Sequence, residues 1–314
     1  MLALLFPGQG SQEVGMGRDA AESSAAAREV FQVADEQLGF ALSRLCFDGP
    51  EESLRRTELQ QPAILATSIA LLRALEERTV LAPAFVAGHS LGEYTALVAA
   101  HALALDDALR LVHARGRYMQ EAVAEGRGAM AAILGAPPAV VERACERARE
   151  ETGRVVAPAN YNGPQQTVIA GDTLAVEVAC DRARDAGARR AVPLPVSAPF
   201  HCPLMLPAAE KLWPELASTR FAPPRPPVVT NVEAAPNDVP ERIAPLLRAQ
   251  VTAPVRFTEM VEALRDRGVT HVLEIGPGRV LSGLVARIAP GLQRASVGSV
   301  RELEAAVQFV ARAA

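Results

Sequence analysis

The stretch Ala84-Phe85-Val86-Ala87-Gly88-His89-Ser90-Leu91-Gly92-Glu93-Tyr94-Thr95-Ala96-Leu97-Val98-Ala99-Ala100-His101 sets the reading of this chain. Ala84 to Ala87 is short and apolar and predicts a buried strand, and Leu91 to His101 predicts a helix that begins immediately after Ser90. Between them, Gly88-His89-Ser90-Leu91-Gly92 fits the G-x-S-x-G pattern of a sharp strand-to-helix turn. The glycines let the backbone turn tightly and lift the serine hydroxyl onto a helix N-terminus. There the backbone N–H of Leu91 and the helix dipole favour negative charge. The bland alternative is a plain structural turn, against which the flanking strand and helix weigh.

Outward from this turn, the same alternation recurs. Leu2 to Phe6 predicts a strand, followed by a Gly-Gln-Gly-Ser-Gln loop at Gly8 to Gln12. Gln61 to Glu77 and Asp106 to Val123 carry helical spacing, and His271 to Ile275 predicts a strand stopped by Gly276-Pro277-Gly278. Alternating strands and helices predict an α/β fold with a parallel sheet covered on both faces. The middle differs. Ala129 to Leu134, Pro138 to Glu151, Val155 to Tyr161, Gln166 to Ala170, Thr173 to Ala186 and Ala188 to Val196 read as βαββαβ. That is the ferredoxin-like pattern of an inserted α+β unit. The expected division is therefore a discontinuous large domain, 1–127 and 198–314, with a small subdomain at 128–197.

Composition narrows the function. Over 314 residues, 49% apolar and 22% charged side chains are a globular balance, and a net charge of −4 gives no global field for nucleic acid. The four cysteines, Cys46, Cys145, Cys180 and Cys202, form no Cys-x-x-Cys pair, and the five histidines show no metal-ligand spacing. No metal is expected. The N-terminus lacks the basic start of a signal peptide, and no apolar run reaches membrane-spanning length, so a cytoplasmic protein without membrane contact is expected.

A serine hydroxyl needs a base, and His89, His101, His113, His201 and His271 are the candidates. His201 leads, because it follows Ser197-Ala198-Pro199-Phe200 in a loop leaving the last strand of the insertion. Arg115 stands at the edge of the apolar stripe Leu105, Ala108, Val112, Met119, Val123 of its helix, whereas Arg110 and Arg117 project away. A guanidinium there needs a partner. An internal carboxylate and a carboxylate-bearing substrate satisfy that need equally.

With these residues collected, the chain resembles the bacterial malonyl-CoA:acyl-carrier-protein transacylase family. The resemblance runs from Phe6-Pro7-Gly8-Gln9-Gly10-Ser11-Gln12 to Glu274-Ile275-Gly276-Pro277-Gly278. Between them stand the Ser90 motif, Arg115-Gly116-Arg117-Tyr118-Met119-Gln120, and Asn160-Tyr161-Asn162 before Val168-Ile169-Ala170-Gly171.

The resemblance implies an α/β-hydrolase-like large domain with a ferredoxin-like insertion. It implies Ser90 as nucleophile, His201 as base, and the backbone N–H groups of Gln9 and Leu91 as an oxyanion hole. Arg115 is implied to bind the substrate carboxylate, and the Gln250 backbone carbonyl to orient His201 in place of an acid. Asn160 and Asn162 are implied to flank the substrate. Phe200 stands where many members have serine, and its ring is expected to narrow the space beside the malonyl α-carbon. Malonyl-CoA and acyl carrier protein are the implied partners of a monomer without cofactor. Met1, directly before the first motif, suits a free-standing protein.

The rival expectations are an acyltransferase serving a polyketide synthase, an esterase or acyl-carrier thioesterase of the same fold, and a non-catalytic carrier-binding scaffold. An acidic carrier would seek a basic patch, for which Arg182, Arg184, Arg189 and Arg190 are candidates; a solvated helix face is the plainer reading of them.

Overall fold

The computed structural model describes residues 1–196 and 198–313; Ser197, which the sequence reading put in a loop with His201, lies outside the described residues. Six strands form the larger sheet: β1 (Leu2–Phe6), β2 (Phe85–Gly88), β7 (Val228–Val229), β8 (Pro236–Asn237), β9 (His271–Ile275) and β10 (Gln293–Val297). Their order is β10-β9-β1-β2-β7-β8, parallel except for the antiparallel edge strand β8.

All five residues of β1 are buried. Successive side chains point to opposite faces, and here both faces are apolar. Leu2, Leu4 and Phe6 join one core cluster, while Ala3 and Leu5 join another on the far side. A strand with two buried faces reads as an unbroken apolar run, as expected of a helix-covered parallel sheet.

The remaining strands, β3 (Gly128–Leu134), β4 (Val156–Gly163), β5 (Gln166–Asp172) and β6 (Arg190–Pro193), form a separate antiparallel sheet in the order β4-β5-β3-β6. Ala131 and Ile133 of β3 face the helices Pro138–Thr152 and Thr173–Asp185, closing a third core cluster. The opposite face, carrying Met130, Ala132, Val168 and Ala170, packs onto the main core. Val255, just before the helix Phe257–Asp266, bridges to β4: its N–H donates to Ala159 O, and its carbonyl accepts from Tyr161 N, both at 2.9 Å.

The expected strand at 188–196 is shorter than the sequence suggests. The paired residues of β6 are Arg190 to Pro193, and one further bond, from Leu194 N to Met130 O at 2.9 Å, ends the contact with β3. Leu194 and Val196 instead line the cleft beside Ser90. The segment before residue 57, unassigned from sequence, forms the helices Arg18–Ser23, Ala25–Leu38, Leu42–Asp48 and Glu51–Leu54. The helix Thr57–Glu76 is almost entirely buried. No helix among the described residues is long and apolar enough to cross a membrane.

Candidate active site

The turn at Ser90 is steric in origin. A Cβ on Gly88 would sit 1.9 Å from Gly92 O, and one on Gly92 would sit 2.1 Å from Phe6 O, so neither position admits a side chain. Between them Ser90 takes φ 53°, a left-handed conformation costly for an L-residue. The helix Gly92–Ala99 follows. His201 also lies in the left-handed region, at φ 58°. Such strain persists only where the surroundings enforce it.

Ser90 Oγ lies 2.7 Å from His201 Nε2, and His201 Nδ1 lies 2.9 Å from the Gln250 carbonyl oxygen. A carbonyl only accepts, so Nδ1 carries the ring proton and Nε2 offers its lone pair to the serine. Burial, and then the Arg115 charge, push the His201 imidazole down to about 3, which keeps it neutral. The other histidines do not reach the hydroxyl. His113 and His271 stack near Phe40 and Phe309, and His101 is exposed. His89 lies 2.8 Å from Asn162 Oδ1, bridging the turn to β4.

Arg115 is 1% exposed, deeper than its place at the edge of a stripe suggests. Its helix, Leu105–Glu121, approaches Thr57–Glu76 closely because Gly116 has no side chain; a Cβ there would meet Thr57 O at 2.6 Å. The guanidinium donates from Nη1 to Gln61 Oε1 at 2.7 Å, and from Nη2 to Gln250 Oε1 at 2.9 Å and Ser90 Oγ at 3.0 Å. It forms no ion pair with any carboxylate among the described residues, so the internal salt bridge left open by the sequence is absent.

Arg115, Met119, Met130, Phe200 and His201 line a cavity of about 110 Å³ at Ser90. A neighbouring space of about 170 Å³ shares Gln9, His89, Asn160 and Leu194, and Asn162 and Leu284 also line it. The backbone N–H groups of Gln9 and Leu91 donate to no other group among the described residues. Of the residues that the resemblance implies for the site, Gln9, Ser90, Arg115, Asn160, Asn162, Phe200 and His201 line these two spaces, and Gln250 bonds to Arg115 and His201; His101, His113 and His271 line neither.

Three residues escaped the sequence reading: Gln61, Asn231 and Glu93. Gln61 belongs to a buried polar pair, Gln60-Gln61, in an apolar helix, and Glu93 is the one charge in Gly92–Ala99. Both anomalies are visible in sequence. Asn231 carries no such signal. No cluster of histidine, cysteine, aspartate and glutamate suited to a metal ion occurs among the described residues.

The basic patch needs correction. Arg182 pairs with Glu151 and Asp185, and Arg184 with Asp181, so these two arginines are neutralised by their neighbours. Arg189 and Arg190 form no ion pair among the described residues.

A serine on a strained turn, backed by a neutral histidine inside an α/β fold, defines a serine-dependent acyl-transfer class, and residues 3–307 match the acyl transferase domain family. The chain is 48% identical to the malonyl CoA-acyl carrier protein transacylase of Escherichia coli K12, over 98% of this chain and 99% of that protein. It superposes on the acyl carrier protein S-malonyltransferase of Vibrio cholerae with a TM-score of 0.94 at 46% identity, covering 97% and 99% of the two chains. A malonyl-transacylase in complex with a type II PKS acyl-carrier protein gives a TM-score of 0.95 at 46% identity, covering 98% and 99%. The chain belongs to the malonyl-CoA:acyl-carrier-protein transacylase family.

Proposed function

We propose that this enzyme transfers a malonyl group from malonyl-CoA to the phosphopantetheine thiol of an acyl carrier protein through a malonyl ester on Ser90. The observation that carries the reading is the buried Arg115 guanidinium only 3.0 Å from Ser90 Oγ. In a malonyl thioester a single methylene separates the attacked carbonyl from the free carboxylate. A carbonyl bonded to Ser90 therefore brings that carboxylate against the cation, where a planar fork binds it bidentately.

His201 Nε2 takes the Ser90 proton as Oγ attacks the thioester carbonyl. The tetrahedral oxyanion is held by the Gln9 and Leu91 N–H groups, which have no competing acceptor. Collapse breaks the C–S bond, and the CoA thiolate takes the proton from His201. The carrier thiol then repeats the sequence in reverse, giving ping-pong kinetics. One thioester is exchanged for another through an ester, so the electron balance calls for no redox cofactor. Asn160 and Asn162 border the path of the pantetheine arm. Residues 1–127 and 198–314 act as the frame, and 128–197 as the insertion that roofs the cleft. Four buried thiols suit a reducing, cytoplasmic setting.

A simple esterase has no use for a desolvated cation in its acyl chamber, and a scaffold has no use for an activated serine. The carrier of a polyketide synthase is the second reading, supported by the similarity to a transacylase bound to a type II PKS carrier. Labelled malonyl-CoA followed by peptide mapping tests the proposal: label on the Ser90 peptide that holo-carrier protein discharges is expected. Label that only water discharges, or none on Ser90, overturns it. Parallel discharge by fatty-acid and polyketide carriers ranks the two readings.

A further inference from the structure

We infer that Glu93 is a positioning residue that sets the nucleophile and the base in register through a single carboxylate oxygen. The inference rests on Ser90 and His201 forming the reactive pair. Glu93 is 3% exposed, and its Oε2 accepts two hydrogen bonds, from Gln250 Nε2 at 2.7 Å and from Asn231 N at 3.0 Å. Each donor holds a different half of the site.

Asn231 holds the turn. Its Oδ1 accepts from Ser90 N at 2.6 Å, and its Nδ2 donates to Gly88 O at 2.7 Å. These bonds grip the serine's own backbone, where the left-handed conformation needs enforcement. Gln250 holds the other half. Its carbonyl oxygen faces His201 Nδ1, its Oε1 accepts from Arg115, and its Nε2 also donates to Ser90 O at 3.1 Å. Rotation of the Gln250 amide would remove an acceptor from Arg115 and unsettle the carbonyl against which His201 is aligned.

An ordinary triad places an acid directly against the histidine. In this site the histidine meets a neutral carbonyl, and the acid stands one residue further out, shared with the clamp on the serine. Glu93 holds both clamps together through one oxygen and, where it is ionised, places a negative charge close to Arg115, which forms no ion pair among the described residues. The two effects are separable, because a glutamine at position 93 keeps an oxygen able to accept both hydrogen bonds while removing the charge.

The test compares Glu93→Gln, Glu93→Asp, Glu93→Ala, Gln250→Ala and the double variant Glu93→Ala/Gln250→Ala. Two rates are read in the full chain: acylation by malonyl-CoA, and inactivation of Ser90 by phenylmethylsulfonyl fluoride, a general serine reagent. The second reads the Ser90–His201 pair whatever the natural acyl donor is. A wild type that reacts with the reagent but not with malonyl-CoA thus refutes the substrate and leaves the positioning test intact.

Misplacement of reacting groups by about 1 Å typically costs on the order of 100-fold, and a loss of about that size is expected for Glu93→Ala in both reactions. Glu93→Gln should stay within about 10-fold of wild type, and Glu93→Asp, one methylene short, should fall below Glu93→Gln. The double variant should be little slower than the worse single one, since residues acting as a unit are not additive. If Glu93→Ala does not fold, the order of the Gln and Asp variants decides. Wild-type rates in Glu93→Ala, Asp above Gln, or fully multiplicative losses in the double variant would overturn the inference.

Discussion

Arg115 Nη2 and His201 Nε2 both contact the same atom, Ser90 Oγ, at 3.0 and 2.7 Å. The cation that distinguishes one acyl group from another therefore also touches the nucleophile and depresses the basicity of the base. Selectivity and reactivity are coupled at a single oxygen.

The first consequence concerns pH. Sequence alone assigns His201 an inflection near 6 to 7, the ordinary range for a histidine. Burial and Arg115 hold the folded imidazole at about 3 instead. In ¹⁵N NMR the His201 ring should stay neutral, with its proton on Nδ1, from about pH 8 down to about pH 5; a midpoint near 6.5 would contradict the geometry. Between about pH 6.5 and about 3 the unfolded chain binds a proton that the folded chain refuses. The stability contributed by neutral His201 is thus complete above about 6.5 and declines as pH falls, by at most about 1.4 kcal/mol per unit. Glu93, raised to about 7 by burial against the opposing hydrogen bond from Gln250, is the site carboxyl that titrates near neutrality. An activity inflection there should vanish in Glu93→Gln.

Phe200 is 6% exposed and lines the chamber with Met119 and Met130. Phe200→Ala should admit a branched α-carbon, raising kcat/KM for methylmalonyl-CoA relative to malonyl-CoA by about 10-fold or more, the usual worth of one methylene in a pocket. It should also lower Tm, since truncating a buried phenylalanine costs about 3 to 5 kcal/mol. An unchanged acyl preference, measured by competition, would remove Phe200 from the selectivity account.

For the carrier, the structure redirects attention to Arg189, which shares a surface cavity of about 530 Å³ with Arg287. Arg189→Glu should raise the KM for carrier protein, most at low salt, while loading from malonyl-CoA holds. Arg182→Glu should do little to the carrier step, because Arg182 is already bound by Glu151 and Asp185. Equal damage to both half-reactions by Arg189→Glu would place the residue elsewhere in the mechanism.

What the sequence made legible follows from locality. The turn at Ser90 is specified by two glycines within five residues, and β1 by an apolar run; both are short-range signals. Arg115 showed as a charge out of place on a helix, although its full burial depends on Gly116 allowing a second helix close. The supports of the site were not legible. Asn231 and Glu93 meet across 138 positions, a pairing that no local spacing announces. The edge strand β10 and the helices before residue 57 were missed for a different reason. β10 has no apolar run, Arg18–Ser23, Leu42–Asp48 and Glu51–Leu54 are too short to show a helical period, and the buried face of Ala25–Leu38 is half alanine, with Ala27 and Ala34 beside Val30 and Phe31.

The most direct measurement offers malonyl-CoA and acetyl-CoA in competition to the wild type and to Arg115→Ala, with the acyl-Ser90 species weighed by mass spectrometry. The account predicts that malonyl dominates on the wild type. In the variant, malonyl loading should drop by about 30- to several-thousand-fold, the cost of about 2 to 5 kcal/mol for losing one partner of a buried charged pair. Acetyl loading should hold or rise. A parallel fall of both acyl groups in a variant of lowered Tm would contradict the account, and Arg115 would then be a support of the fold without a role in choosing the substrate.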